Sequence, residues 1–204
     1  MGTTAYVMSF TTGGLFLHES VTVAGLYLEL GDWTTVRDRV ISSNLLQTRT
    51  VNTARRTYRE ISGRLKLLAK EEIGILMDGS RQDQQHILWM AVCRRYRFIR
   101  DFAVEVIREK YLCLDMNLSH EDYDAFFNAR ADWDDKLARL AETTRTKLRT
   151  VVFRMLREAE LLTRGHIINP VMLSPRVAEI ASRTASTDLV VFPISDADLK
   201  EWAG

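Results

Sequence analysis

Four histidines, two cysteines and one dense group of carboxylates are the side chains that could carry out a reaction in this 204-residue chain. His18, His86, His120 and His166 are scattered, and none has a helical partner at metal-ligand spacing. Cys93 and Cys113 form no CxxC pair and no Cys/His cluster, so they read as two buried free thiols in a reducing compartment. Asp132, Asp134 and Asp135, beside Lys136, could hold a magnesium ion for phosphodiester cleavage. Acids in the first turn of a helix also favour its dipole, and that is the reading preferred here. His120 and Glu121 beside Ser119 are first-turn residues in the same sense. There is no GxxxxGK[ST] phosphate loop, no GxGxxG after a strand, and no nucleophile elbow. These residue types point away from an enzyme, and no metal or cofactor is expected.

Charge distribution is more informative. Net charge is only +1, yet from Trp33 to Leu68 eight Arg/Lys stand against two acids, Asp38 and Glu60. From Thr143 to Arg157 there are five basic residues and no acid, while Asp115 to Glu142 holds eight acids and three bases. Each basic island coincides with the second helix of a short-helix, turn, long-helix pair. A helix entering a major groove must bury one stripe in its own domain and present polar and basic side chains outward. In the first pair the outward candidates are Asn52, Arg55, Arg56 and Arg59, with Arg49 at the helix start. In the second they are Thr144, Arg145, Lys147 and Arg149. Guanidinium groups bond phosphate oxygens and guanine edges, so both faces read as double-stranded DNA contacts. Leu161 to Ile168 leaves the second helix, turns at Gly165 and returns extended, placing Arg164 and His166 at the tip of a wing-like segment. The same faces could instead grip an acidic partner protein, as a scaffold or adaptor, or a structured RNA.

The elements that must position these faces are helical. All three prolines fall at or after Pro170, and the chain is 46% apolar, enough for a sizeable core. After a Thr/Gly-rich lead-in over 1–13, read as partly disordered, a first helix runs from about Leu15 to Leu30 and ends at Gly31. Asp32 caps a short helix to Ser42, and Thr50 starts a long one with a buried stripe of Val51, Ala54, Tyr58, Ile61, Leu65 and Leu68. Arg81 to Leu114 is the central scaffold, broken or bent midway. Ser119 and Asp122 form a capping box for a helix carrying Tyr123, Phe126 and Phe127. Asp132 caps a short helix Trp133–Leu140, and Thr143 or Thr144 caps a longer one to about Glu160, with Leu148, Val151, Val152, Met155 and Ala159 inward. A last helix, about Ser174–Thr184, precedes a hydrophobic tail, Leu189–Ile194. Trp89, Tyr96, Phe98, Phe102 and Trp133 lie at helical spacing and read as packing, with Trp33 and Trp202 ambiguous at element ends. The expected fold is an all-α helical bundle with two helix-turn-helix-like elements, the second with a short wing-like segment. It is organised as 1–80 and 81–204 or as one compact unit. The N-terminus lacks a basic signal region, and no apolar run approaches a membrane span, so a soluble cytoplasmic protein is expected.

The chain also resembles the BrxA family, the small helical component of BREX phage-exclusion systems. The resemblance is carried by Ser43-Asn44-Leu45-Leu46-Gln47, Thr53-Ala54-Arg55-Arg56, Glu60-Ile61 through Arg64-Leu65, Asp101-Phe102, Glu105 to Lys110, Asp122-Tyr123 and Phe126-Phe127. Its clearest block is Thr143-Thr144, Lys147-Leu148 and Arg154 to Ala159, followed by Leu161-Leu162, Ile167-Ile168 and Pro170. The resemblance implies a monomeric, all-helical, DNA-binding protein with two helix-turn-helix elements. It would act with methyltransferase, ATPase, protease-like and phosphatase-like components, without a membrane. Glu160 departs from the pattern, which has a small residue there, and its charge opposes a close DNA approach beside the wing.

Overall fold

The computed structural model describes residues 5–11 and 13–203. Helix α1 (Leu17–Leu30) ends where Gly31, at φ 70°, returns its N–H to the Tyr27 carbonyl. Helix α2 (Trp33–Ser42) starts on Asp32, whose carboxylate accepts the Thr35 N–H at 2.7 Å. Helix α3 (Val51–Leu65) starts on Thr50, which accepts from the Thr53 N–H at 3.1 Å. Both caps sit where the sequence places them, because each fills an orphan donor of the first turn. Helix α4 (Lys70–Asp78) then leads into α5 (Arg81–Arg95).

The central scaffold is interrupted, as its length predicts. Tyr96, at φ −121° and ψ 92°, breaks α5 from α6 (Arg97–Phe102), which continues through a π-helical turn (Ala103–Arg108) into α7 (Glu109–Leu112). The Ser119–Asp122 capping box opens α8 (His120–Ala131), with reciprocal bonds of 3.1 and 2.7 Å. Tyr123, Phe126 and Phe127 of α8 meet Phe98 and Phe102 edge-on or tilted at centroid distances of 5.2–5.9 Å. That aromatic cluster fixes α8 on the scaffold.

Several boundaries differ from the sequence reading. The short helix before the second basic island is a single turn, α9 (Asp135–Ala138), capped by Asp134 rather than Asp132. Helix α10 (Glu142–Glu158) starts on Ala141, with no side-chain cap from Thr143 or Thr144. Cys93 is buried, but Cys113 is exposed at the end of α7, outside the core. The lead-in is not loose over its described part. Phe10 is fully buried against Tyr96 and Phe98. The C-terminal part holds α11 (Pro175–Ala185), a 3-10 segment (Ser186–Val191) and α12 (Asp196–Ala203), the last not foreseen.

One cluster of buried side chains runs from Phe10 to Ile194 without a break at residue 80. Across that position Arg94 of α5 grips Glu72 of α4 through both carboxylate oxygens, at 2.7 and 2.6 Å, and Asp188 at 2.5 Å. Glu72 is fully buried, so this pairing removes the large cost of an isolated interior charge. Among the described residues no helix is long and apolar enough to cross a membrane.

Candidate nucleic-acid interface

The first basic face is built by α2 and α3. Val36 and Val40 of α2 pack inward with Ala54, Tyr58, Ile61 and Leu65 of α3, and the Tyr58 hydroxyl donates to the Trp33 carbonyl at 2.7 Å. The connecting turn is held by Asn44, at φ 46°, whose side chain both accepts from the Thr48 N–H (3.0 Å) and donates to its carbonyl (3.2 Å). With the apolar stripe inward, Arg49, Asn52, Arg55, Arg56 and Arg59 are all exposed. None of these arginines forms an ion pair among the described residues. Val51, placed in the buried stripe by its spacing, is exposed at the first helical position. Arg64 belongs to the same basic stretch but is buried. It pairs with Glu60 at 3.5 Å and donates to the Gly14 carbonyl at 2.8 Å, tying the N-terminal segment down.

The second face differs from expectation. Arg145 and Arg149 lie on the side of α10 that meets α8. Arg149 pairs with Asp124, while Arg145 donates to Asn128 at 3.0 Å and stacks over Phe127 at 4.3 Å. Thr144 is half-buried. Only Lys147 of the four second-face candidates is fully outward, and it shares its side with Thr143, Thr146, Thr150 and Arg154, all exposed. These positions are legible as the complement of the buried stripe Leu148, Val151, Val152, Met155. The candidate set Thr144, Arg145, Lys147 and Arg149 missed them.

Beyond α10 the chain forms the extended return that the sequence suggests. Leu162 and Ile168 make an antiparallel bridge, and Asn117, just before α8, bridges Ile167. The Leu118 N–H donates to the His166 carbonyl at 2.9 Å, and the Ile168 N–H to the Met116 carbonyl at 2.7 Å. Three short extended pieces thus surround the base of a turn whose tip carries exposed Arg164. On one flank His120 and His166 sit 5.1 Å apart, and burial, with Arg149 and His166 adding, holds the His120 imidazole below its ordinary pKa.

Asp132, Asp134 and Asp135 line a cleft of about 840 Å³ with Tyr6, Asp101, Glu105 and Trp133. Asp134 and the neighbouring acids Asp101 and Glu105 have structural partners. Asp134 caps α9 and accepts the Tyr6 N–H at 2.9 Å, Asp101 accepts the Tyr6 hydroxyl at 2.7 Å, and Glu105 pairs with Arg130. Burial, with the hydrogen bond to Asp101 adding, pushes the Tyr6 phenol up to about 12. No group of three or more metal-ligating side chains is gathered among the described residues.

With these faces placed, likeness to known proteins becomes informative. The BrxA family profile matches residues 4–184, nearly the whole chain. The chain belongs to the BrxA family of BREX phage-defence systems. It is 25% identical over 188 residues to the BREX protein BrxA of Escherichia coli O9:H4 (strain HS), covering 91% of this chain and 88% of that one. It is 27% identical over 151 residues to the BREX protein BrxA of Paramagnetospirillum magneticum (strain ATCC 700264 / AMB-1), covering 74% and 76%. The same identity, over 127 residues, relates it to the BREX protein BrxA of Bacillus cereus (strain H3081.97), covering 62% and 64%. The crystal structure of an uncharacterized protein from Magnetospirillum magneticum superposes with a TM-score of 0.81 at 22% identity, covering 93% of this chain and 98% of that one. The all-helical bundle is therefore the fold of this BrxA-family chain.

Proposed function

We propose that this BrxA-family chain is a non-enzymatic, monomeric, cytoplasmic component of BREX defence that binds double-stranded DNA through helix-turn-helix faces, mainly at phosphates. The observation that carries the reading is the α3 face, where Arg55, Arg56 and Arg59 of the helix, with Arg49 just before its cap, are exposed with no ion-pair partner among the described residues. Unpaired guanidinium groups at a helix that follows a short helix and a turn suit a duplex backbone. The order extended piece, α8, α9, α10, hairpin supports a second, winged element whose outward side carries Lys147, Thr150 and Arg154. Phosphate contacts bring little sequence preference and a strong dependence on salt. The non-enzymatic part of the reading is supported by Asp134, whose carboxylate is occupied in capping α9 and accepting the Tyr6 N–H.

Fluorescence anisotropy with a labelled duplex of about 30 base pairs, titrated at several salt concentrations, tests it. If about four to six phosphates are neutralised, the logarithmic salt slope is about −4 to −5. Arg55→Glu with Arg59→Glu weakens binding at every sequence while the melting temperature stays put. Duplex RNA competes poorly, because its deep, narrow major groove excludes a helix. Absence of binding at low salt overturns the DNA reading.

A scaffold role toward the methyltransferase, ATPase, protease-like or phosphatase-like components is the second reading. It is favoured by Trp133, which stands 87% exposed while lining the cleft of Asp132, Asp134 and Asp135. An aromatic side chain with so little of its surface covered is a common anchor for a protein partner. A pull-down of purified components that survives nuclease treatment and is lost in Trp133→Ala moves the role to protein contacts.

A further inference from the structure

A concave site lies where the last turns of α10 meet the hairpin. Arg154, Arg157, Glu158, Leu162 and Arg164 line it, enclosing about 560 Å³. Three guanidinium groups thus share the site with one carboxylate. That carboxylate is already engaged, since Glu158 accepts the Leu15 N–H at 2.5 Å and the Arg154 Nε–H at 2.7 Å. Gly14 packs so closely against the Glu158 carboxylate that a Cβ there would collide with it, which fixes the carboxylate from the other side. Arg157 and Arg164 have no ion-pair partner among the described residues.

Arginine stays charged at every accessible pH, so the chain holds these like charges together permanently. Positive groups lining a concavity focus their field outward, and the buried Leu162 side chain beside them keeps that part of the wall low in dielectric. The hairpin that carries Arg164 is braced by the Thr163 N–H to the Ile167 carbonyl at 2.9 Å and the Ile167 N–H to Thr163 Oγ1 at 3.0 Å. Such a site is preorganised for a tetrahedral oxyanion bearing a negative charge, which several planar N–H forks can grip at once. Lys147, Thr150 and Arg154 lie at i, i+3 and i+7 along the exposed side of α10 and lead directly to it. The adjoining cleft shares Arg154 and Arg157 but adds Glu19 and Glu160 beside Arg81, so the favourable field is confined to the side of the hairpin that carries Arg164.

We infer that the Arg154–Arg157–Arg164 cleft is a phosphodiester site, holding the backbone of a duplex that runs along the outer side of α10 to the hairpin. The inference rests on the DNA-binding reading and adds to it where the second element is anchored. It makes Arg157 and Arg164, rather than Arg145 and Arg149, the second element's main phosphate contacts.

The test compares the full chain with an Arg157→Gln, Arg164→Gln variant on the same duplex of about 30 base pairs. These two arginines break no ion pair when replaced, so the melting temperature is expected to hold. The logarithmic salt slope should become less steep by about 2, and affinity at about 0.1 M salt should fall roughly 10- to 60-fold. An Arg157→Lys, Arg164→Lys variant, which keeps the charges, should restore the slope. If the unaltered chain binds and the glutamine variant keeps its slope within about half a unit, the cleft is not a phosphate site, and the DNA reading stands on α3. If the unaltered chain does not bind the duplex at low salt, both fall together.

Discussion

Asp124 lies in the second turn of α8, where it meets Arg149, and Asn128 one turn further accepts from Arg145. Those partners give Arg145 and Arg149 a structural role that Arg55 and Arg59, exposed on α3, do not have. Reversing charge at the two pairs should therefore separate affinity from stability. Arg145→Glu with Arg149→Glu sets carboxylates beside Asp124 and Glu142 and removes the guanidinium from the Phe127 ring. It should cost about 1–3 kcal/mol of stability. Arg55→Glu with Arg59→Glu should leave stability within about 0.5 kcal/mol. Urea unfolding of the two variants measures this, and equal midpoints would mean that the α8–α10 pairs hold nothing together.

At the level of elements, the end of α10 holds one residue in a costly backbone conformation. Glu160 sits at φ 60°, past the C-cap Ala159, where the Leu161 N–H returns to the Leu156 carbonyl at 2.9 Å. This is the left-handed helix stop that glycine adopts freely and a residue with a Cβ adopts under strain. Its side chain recovers part of the cost by accepting from Gln85 at 3.3 Å. Glu160→Gly should raise stability by about 0.5–1 kcal/mol, net of the greater freedom glycine has when unfolded. Glu160→Ala should not, because alanine bears the same strain and loses the Gln85 bond. Thermal melts of the two variants decide it, and a gain in the alanine variant would locate the cost in the carboxylate instead of the backbone. The same logic explains α9. Asp134 caps it, accepting from the N–H groups of Lys136 and Leu137, and that choice leaves Trp133 outside the helix and in solvent.

For the whole molecule, acid stability follows from one buried imidazole. His86 of α5 is almost fully covered, packs edge-on against Phe192 at 5.4 Å, and has an Nδ1 with no hydrogen-bond partner. Burial lowers it from 6.5 to about 4, against the smaller opposing pull of Asp83 and Glu160. The folded chain then binds fewer protons than the unfolded chain between those values. Its contribution is fully present above about pH 6.5 and is lost as pH falls toward 4, by up to about 3 kcal/mol. The urea midpoint should drop more steeply from pH 7.5 to pH 4.5 in the native chain than in His86→Leu. Parallel drops would show that carboxylate pairs such as Arg94 with Glu72 and Asp188 set the acid limit instead.

Local chemistry alone made much of this legible. The Asp32 and Thr50 caps, the Ser119–Asp122 box, the stop at Gly31 and the inward stripes of α3 and α10 depend only on neighbours within a turn or two. The sequence expresses such terms directly, and with them the all-helical fold, the family pattern and the outward α3 face. Tertiary structure decided which charges stay free. Arg64 and Arg94 turned inward because carboxylates at 60, 72 and 188 wait there, Arg145 and Arg149 were drawn to α8, and Glu158 was spent on the backbone of Leu15. A guanidinium has the same charge wherever it stands. Whether it faces solvent or a carboxylate depends on residues as distant as Asp188 is from Arg94, 94 positions along the chain, brought close only when the helices pack.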